Sequence, residues 1–223
     1  MAKVGKPKIL LIYTGGTIGM VRDSKNGALK AFNFDNLLRR IPEIKLLDCF
    51  IDTISFDTPI DSSNVVPENW VEMSEIIENH YEDYDGFVIL HGSDTMSYSA
   101  SALSFMLENL RKPIIFTGSQ LPIGDLRTDA KENLITSIQI AALQKNNMPV
   151  IKEVGLYFEY KLYRGNRTTK INAEHFSAFK SFNYPKLIES GVYLDISWPY
   201  LFKQSQIGSL KVYKALFKAV IIV

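Results

Sequence analysis

Three short apolar runs in this chain end in the same way, and that shared ending narrows the folds open to it. LLIY (Leu10–Tyr13) runs into Thr14-Gly15-Gly16-Thr17-Ile18-Gly19. FVIL (Phe87–Leu90) runs into His91-Gly92-Ser93-Asp94-Thr95, and IIF (Ile114–Phe116) into Thr117-Gly118-Ser119-Gln120. Each run is short and wholly apolar, as a strand buried on both faces must be. Helical patterns lie between and after them. Pro67 suits the first turn of a helix, and Trp70, Met73, Ile76, Ile77 and Tyr81 follow at helical intervals. Ser97–Leu110 reads as a helix with Ala102, Phe105, Met106 and Leu110 on one side. Asp129–Leu143 reads as another, through Leu134, Ile135, Ile138 and Ala142, and Phe34–Ile41 as a short one. Val154–Tyr160 is a fourth strand candidate. Strands alternating with helices predict an α/β fold: an open, mostly parallel sheet with helices on both faces.

Parallel strands end on one edge of such a sheet, and ligands bind in the crevice there. Glycine lets the backbone approach a ligand closely, and N–H groups at a following helix start hold negative charge. Several chemistries are excluded by spacing. No Gly-Lys-Ser/Thr follows the first loop, and Gly15, Gly16 and Gly19 do not fit G-x-G-x-x-G. No cluster has metal-ligand spacing: His80, His91 and His175 are isolated and Cys49 has no second thiol. Gly-x-Ser-x-Gly is absent, although His91 or His175 could serve a triad in principle. What remains is a set of hydroxyls (Thr14, Thr17, Ser93, Thr95), the Asp94 carboxylate and a lysine. Lys170, in RGNRTTK (Arg164–Lys170), follows the fourth strand candidate and is expected to return to the same edge. A buried lysine loses solvation, its pKa falls, and it can then accept a proton from a hydroxyl that is otherwise a poor nucleophile. Taken singly, each position has a blander use: Thr14, Ser62, Ser63 and Asp94 as cap or turn residues, Lys170 as a solvated charge. Only their joint occurrence argues for chemistry.

The 223 residues suffice for a real core, and 46% apolar with 22% charged residues is ordinary for a globular protein. A formal net charge of +1, with scattered lysines and arginines, gives no case for nucleic acid or an acidic membrane. The apolar run after the basic N-terminus breaks at Thr14-Gly15-Gly16, too early for a signal peptide, and no stretch approaches a membrane span. Together with a single cysteine, this predicts a cytoplasmic protein. Ser181–Ser205 is rich in aromatics and turn residues and reads as a linker, while Ala219–Val223 reads as a buried strand. The expected division is a catalytic α/β domain over 1–190, then, over 191–223, a linker and the start of an incomplete C-terminal α/β domain.

The chain resembles the bacterial L-asparaginases, and most closely their cytoplasmic type I branch. The resemblance rests on YTGGTIGM (Tyr13–Met20), DSS (Asp61–Ser63), YDGFVILHGSDTM (Tyr84–Met96), ALSFMLENL (Ala102–Leu110), TGSQ (Thr117–Gln120) and LYRGNRTTK (Leu162–Lys170). These occur in family order across roughly residues 8–190. The resemblance implies a Rossmann-like N-terminal domain that hydrolyses asparagine to aspartate and ammonia. It implies that Thr14 is the nucleophile and that Ser93, Asp94 and Lys170 form a second catalytic group, with Lys170 acting as base through the Ser93 hydroxyl. Asp94 would also bind the substrate's α-amino group, Ser62 and Ser63 its α-carboxylate, and Gly15 and Gly92 would lie against it. It implies no metal or cofactor, no nucleic acid or membrane partner, and a homo-oligomer, a dimer or a tetramer.

Three features depart from the family pattern. Ser93 stands where HGTDT has threonine, and serine is freer about χ1. The segment Val21–Phe32 carries no tyrosine, whereas relatives commonly have one there. Most of a smaller C-terminal domain is missing from the pattern, and in the family that domain helps complete a neighbouring subunit's site. Three other readings stay open at this stage. One is a glutamine or asparagine amidohydrolase subunit of an amide-transfer complex, since one methylene is worth only about 1–3 kcal/mol of discrimination. The others are a truncated inactive homologue and a nucleotide- or phosphate-binding module.

Overall fold

In a computed structural model, the structure describes residues 5–22, 29–31, 41–203 and 208–215. The expected helix over Phe34–Ile41, apart from Ile41, and the expected strand Ala219–Val223 lie outside the described residues. So does much of the Val21–Phe32 segment, of which Met20–Arg22 and Leu29–Ala31 pair as an antiparallel ribbon.

The centre is one sheet of eight strands: β1 (Lys8–Gly15), β2 (Phe50–Ile60), β3 (Gly86–Leu90), β4 (Ile114–Thr117), β5 (Val154–Phe158), β6 (Lys161–Arg164), β7 (Ile188–Ser190) and β8 (Leu194–Ile196). Their order across the sheet is β8-β7-β6-β5-β4-β3-β1-β2. From β2 to β5 neighbours run parallel, and β6, β7 and β8 are added antiparallel. Among the described residues three α-helices pack on this sheet: α1 (Pro67–His80), α2 (Met96–Met106) and α3 (Ala130–Ala141).

Strand alternation divides the apolar residues between two cores. Ile9, Leu11, Val88, Leu90 and Ile115 meet Leu134 and Ile138 of α3 on one face. Leu10, Ile12, Phe87, Ile89, Ile114 and Phe116 meet Met73 and Ile77 of α1 and Ala100 and Leu103 of α2 on the other. The α/β fold with a mostly parallel sheet and helices on both faces is thus observed. From β1 the chain first adds β2 on one side and then β3 on the other, so the strand order reverses at β1. A crevice opens at the carboxyl ends of strands at such a reversal.

Several elements differ from the sequence reading. Strand β2 went unread because it is the edge strand and alternates polar with apolar residues. Helix α2 ends at Met106 and buries Met96, Ser97, Ser99, Ala100, Leu103 and Met106, while Phe105 is 72% exposed. Of the four residues expected on one side, Met106 and Leu110 are buried and Ala102 packs against the same core, so Phe105 alone departs from the expectation. Strand β5 stops at Phe158, and Glu159 (φ 44°) and Tyr160 (φ 66°) make a left-handed turn into β6. The sheet also runs past residue 190, since β8 pairs with β7.

Candidate active site

Two glycine turns meet at the reversal. Strand β1 ends on Thr14-Gly15, and the Gly16 that follows has φ +86°, a conformation that favours glycine. A Cβ on Gly16 would lie 2.4 Å from the Gly92 nitrogen, so neither turn has room for a side chain there. A Cβ on Gly92 would lie 2.4 Å from Ser62 Oγ. Thr14, Ser62 and the His91–Asp94 turn are packed together by these absences.

Thr14 is buried, and its hydroxyl donates to the Leu90 carbonyl at 2.9 Å, across the β1–β3 pair. Ser62 opens a single turn of 3-10 helix over Ser62–Asn64. Its Oγ accepts from the Asp94 N–H at 3.3 Å, and its carbonyl accepts from the Thr95 hydroxyl at 2.6 Å. Ser63 is exposed and its hydroxyl is turned back on Asp61 at 2.9 Å. The Ser63 N–H and hydroxyl together hold the Asp61 carboxyl below its ordinary range.

Lys170 reaches this edge from far along the chain. Its ammonium donates to Ser93 Oγ at 2.8 Å and to Asp94 Oδ1 at 2.7 Å. The lysine side chain is 15% exposed and the Asp94 side chain 60%, so the pair is sheltered on one side and open on the other. The route is not the expected one. Because β6 runs antiparallel to β5, Arg164 lies opposite Gly155, near the start of β5 and far from the crevice. The chain then turns through Gly165–Arg167, against Ala100 and Ser104 of α2, before Thr169–Lys170 pairs with Phe179–Lys180.

Ser93 has a second partner that the sequence reading quoted only as part of a motif. Its hydroxyl donates to Gln120 Oε1 at 3.0 Å. Gln120 Nε2 in turn donates to the Ala173 and His175 carbonyls, at 3.1 and 3.0 Å, which fixes which end of the amide faces Ser93. The Gln120 N–H bonds the Asp129 carboxylate, whose pKa burial raises despite its backbone donors. The signal in the sequence was position: Gln120 closes the third glycine loop. His91 is buried behind the turn, where desolvation pushes its imidazole down to about 4.

This edge thus presents one buried hydroxyl, one lysine-linked hydroxyl and one open carboxylate. A family model described as the N-terminal part of asparaginase matches residues 8–201. The chain belongs to the asparaginase family.

L-asparaginase 1 of Escherichia coli strain K12 is 50% identical over 190 residues, which are 85% of this chain and 55% of that protein. The structure of L-asparaginase I from Vibrio cholerae superposes with a TM-score of 0.83 at 41% identity, over 93% of this chain and 61% of that one. The thermostable L-asparaginase of Thermococcus kodakarensis gives 0.80 at 30% identity, over 93% and 60%. The chain therefore spans little more than half the length of these asparaginases. Among the described residues no helix is long and apolar enough to cross a membrane.

Proposed function

We propose that this chain carries the catalytic domain of an enzyme that hydrolyses the side-chain amide of L-asparagine through an ester on Thr14. The observation that carries the reading is the Lys170 ammonium within 2.8 Å of Ser93 Oγ and 2.7 Å of Asp94, at the strand edge where Thr14 ends β1. Residues 76 and 77 positions apart have been brought together there. Satisfying a lysine this way is what a proton-relay site requires.

In the proposed reaction the Thr14 oxygen attacks the amide carbon. Its proton leaves through the Ser93 hydroxyl toward Lys170. Backbone N–H groups of the glycine turns at Gly15 and Gly92 hold the negative charge on the former carbonyl oxygen. The nitrogen takes up a proton and departs as ammonia. Water then attacks the Thr14 ester, frees aspartate and returns the hydroxyl. Asp94, open to solvent beside the lysine, takes the substrate's ammonium group, and Ser62 with Ser63 takes its α-carboxylate. In the attack step Lys170 reacts as the free amine, since an ammonium has no lone pair with which to accept the proton.

The reading extends to organisation. The catalytic unit extends past the expected boundary at 190 to take in β8 (Leu194–Ile196), and the segment after it leads toward a second α/β domain. A cytoplasmic setting fits the free Cys49 thiol. A homo-oligomer fits the exposed Phe105, Val192 and Tyr193.

Ammonia release is the test, with L-asparagine and L-glutamine in parallel. It is run on this chain and on this chain joined to the C-terminal portion of the E. coli relative. Asparagine turnover is expected, falling to background in Thr14→Ala and by roughly 10²–10⁴-fold in Lys170→Met. Full turnover by Thr14→Ala overturns the nucleophile. Ammonia from neither amide in either form overturns the hydrolase.

A further inference from the structure

His91 is buried beside the crevice, yet the proposed reaction gives it no proton to carry. Burial keeps the ring neutral, and for a neutral ring its surroundings leave one arrangement of the proton. The Trp70 indole is a donor and never an acceptor, and it donates to Ser99 Oγ at 2.9 Å. The Ser99 hydroxyl hydrogen is therefore free to go to its other neighbour, His91 Nε2, at 2.9 Å. Nε2 accepts, so the ring proton is on Nδ1, which donates to the Gly92 carbonyl at 2.8 Å. The chain of bonds runs one way, from indole to hydroxyl to imidazole to peptide. Ser99 is itself buried, and the His91 ring also meets the Phe116 ring edge-on at 5.9 Å.

We propose that His91, held in its Nδ1–H tautomer by Trp70 and Ser99, is a positioning residue that fixes the Gly92–Ser93 peptide. This peptide needs fixing because Gly92 has no side chain to resist rotation, and its neighbours Gly16 and Ser62 pack directly on its backbone. Turning it over would cost a buried hydrogen bond at the carbonyl. The peptide is trans, so an inward-facing carbonyl sends the Ser93 N–H away from the imidazole. The same plane sets where the Ser93 Cα starts, and with it the hydroxyl that joins Lys170 to Gln120. The kinetic consequence rests on the hydrolase reading; the tautomer and the held peptide do not.

Two measurements test the proposal separately. The first is a long-range ¹H–¹⁵N correlation spectrum of histidine-labelled protein. The chain has 3 histidines, and the His91 ring is assigned by its loss in His91→Asn. A protonated Nδ1 with a bare Nε2 is expected; a protonated Nε2 overturns the proposal. The second is Ser99→Ala, which strands the indole and Nε2. Its kcat on asparagine is expected to fall roughly 10- to 100-fold with KM unchanged, and exchange of the Ser93 amide hydrogen to quicken. His91→Asn, which keeps an N–H near the Nδ1 position, is expected to retain more turnover than His91→Leu. Unchanged kcat and unchanged Ser93 exchange in Ser99→Ala overturn the positioning role. If the wild type releases ammonia from no amide, the hydrolase reading fails, and the tautomer with the Ser93 exchange rate decides the positioning role alone.

Discussion

At the scale of single residues, the chemistry here depends on small groups held by burial. His91 illustrates the energetic side. Its pKa drops from an ordinary 6.5 to about 4 because burial disfavours the charged ring. In the unfolded chain it takes up a proton as pH falls through 6.5, while the folded form stays neutral until about 4. Its contribution to stability is thus intact above 6.5 and is lost progressively down to about 4. By linkage this amounts to roughly 2 kcal/mol between about pH 7 and about pH 5. Urea unfolding at those two pH values checks it: the stability difference between wild type and His91→Asn should shrink by that amount on acidification. A constant difference would mean that the ring takes up its proton over the same pH range in the folded and the unfolded chain. The sequence could propose Thr14, Ser93, Asp94 and Lys170 because each ends a glycine loop or belongs to a motif. It could not supply the partners: Gln120 and the Trp70–Ser99 donors become neighbours of the site only through tertiary packing.

Single elements show why some of the fold was readable and some was not. Strands β1, β3 and β4 are buried on both faces and read as continuous apolar runs. Among the described residues strand β2 pairs with a neighbour on one side only, and FIDTISFDTPI carries a weaker pattern. The β5–β6 hairpin was legible only in part, because its turn uses Glu159 and Tyr160 in left-handed conformations with no glycine to mark it. That hairpin matters because it carries the chain away from the crevice to Arg164, from where the turn at Gly165–Arg167 leads back to Lys170. Its open end is clamped by Arg164, whose guanidinium pairs with Glu153, donates to the Tyr200 carbonyl and lies over the Tyr184 ring. The two charged side chains are only 17% and 9% exposed. Breaking such a pair strands a buried charge, at a cost of about 3–5 kcal/mol, whereas exchanging both members for apolar residues is often near neutral. Arg164→Met alone should therefore be destabilised by that amount in urea melts, and Arg164→Met with Glu153→Leu should recover most of the loss. Equal destabilisation of the single and double variants would locate the clamp in the Tyr184 and Tyr200 contacts instead.

Across the whole molecule, the site is a product of topology. Thr14 comes from the first strand, Ser62 from the turn after β2, Ser93 and Asp94 from the end of β3, Gln120 from beyond β4, and Lys170 from beyond β6. No contiguous half of the chain holds the set, so binding at this edge can exist only when the sheet is assembled. A ligand that binds the native state alone raises stability by RT ln(1 + [L]/Kd), about 2.7 kcal/mol at a hundredfold excess over Kd. L-aspartate, the product of the proposed reaction, carries the same α-amino and α-carboxyl groups as the proposed substrate and has no amide to cleave. It should raise the thermal midpoint of the folded chain in a concentration-dependent way. The rise should survive in Thr14→Ala, which keeps the groups proposed to bind the ammonium and the carboxylate. It should vanish in Asp94→Asn, which removes the charge that meets the ammonium. The contrast separates binding from chemistry at one edge of one sheet. A shift retained in Asp94→Asn would place the amino-acid headgroup elsewhere, and the Lys170–Asp94 contact would then serve the fold.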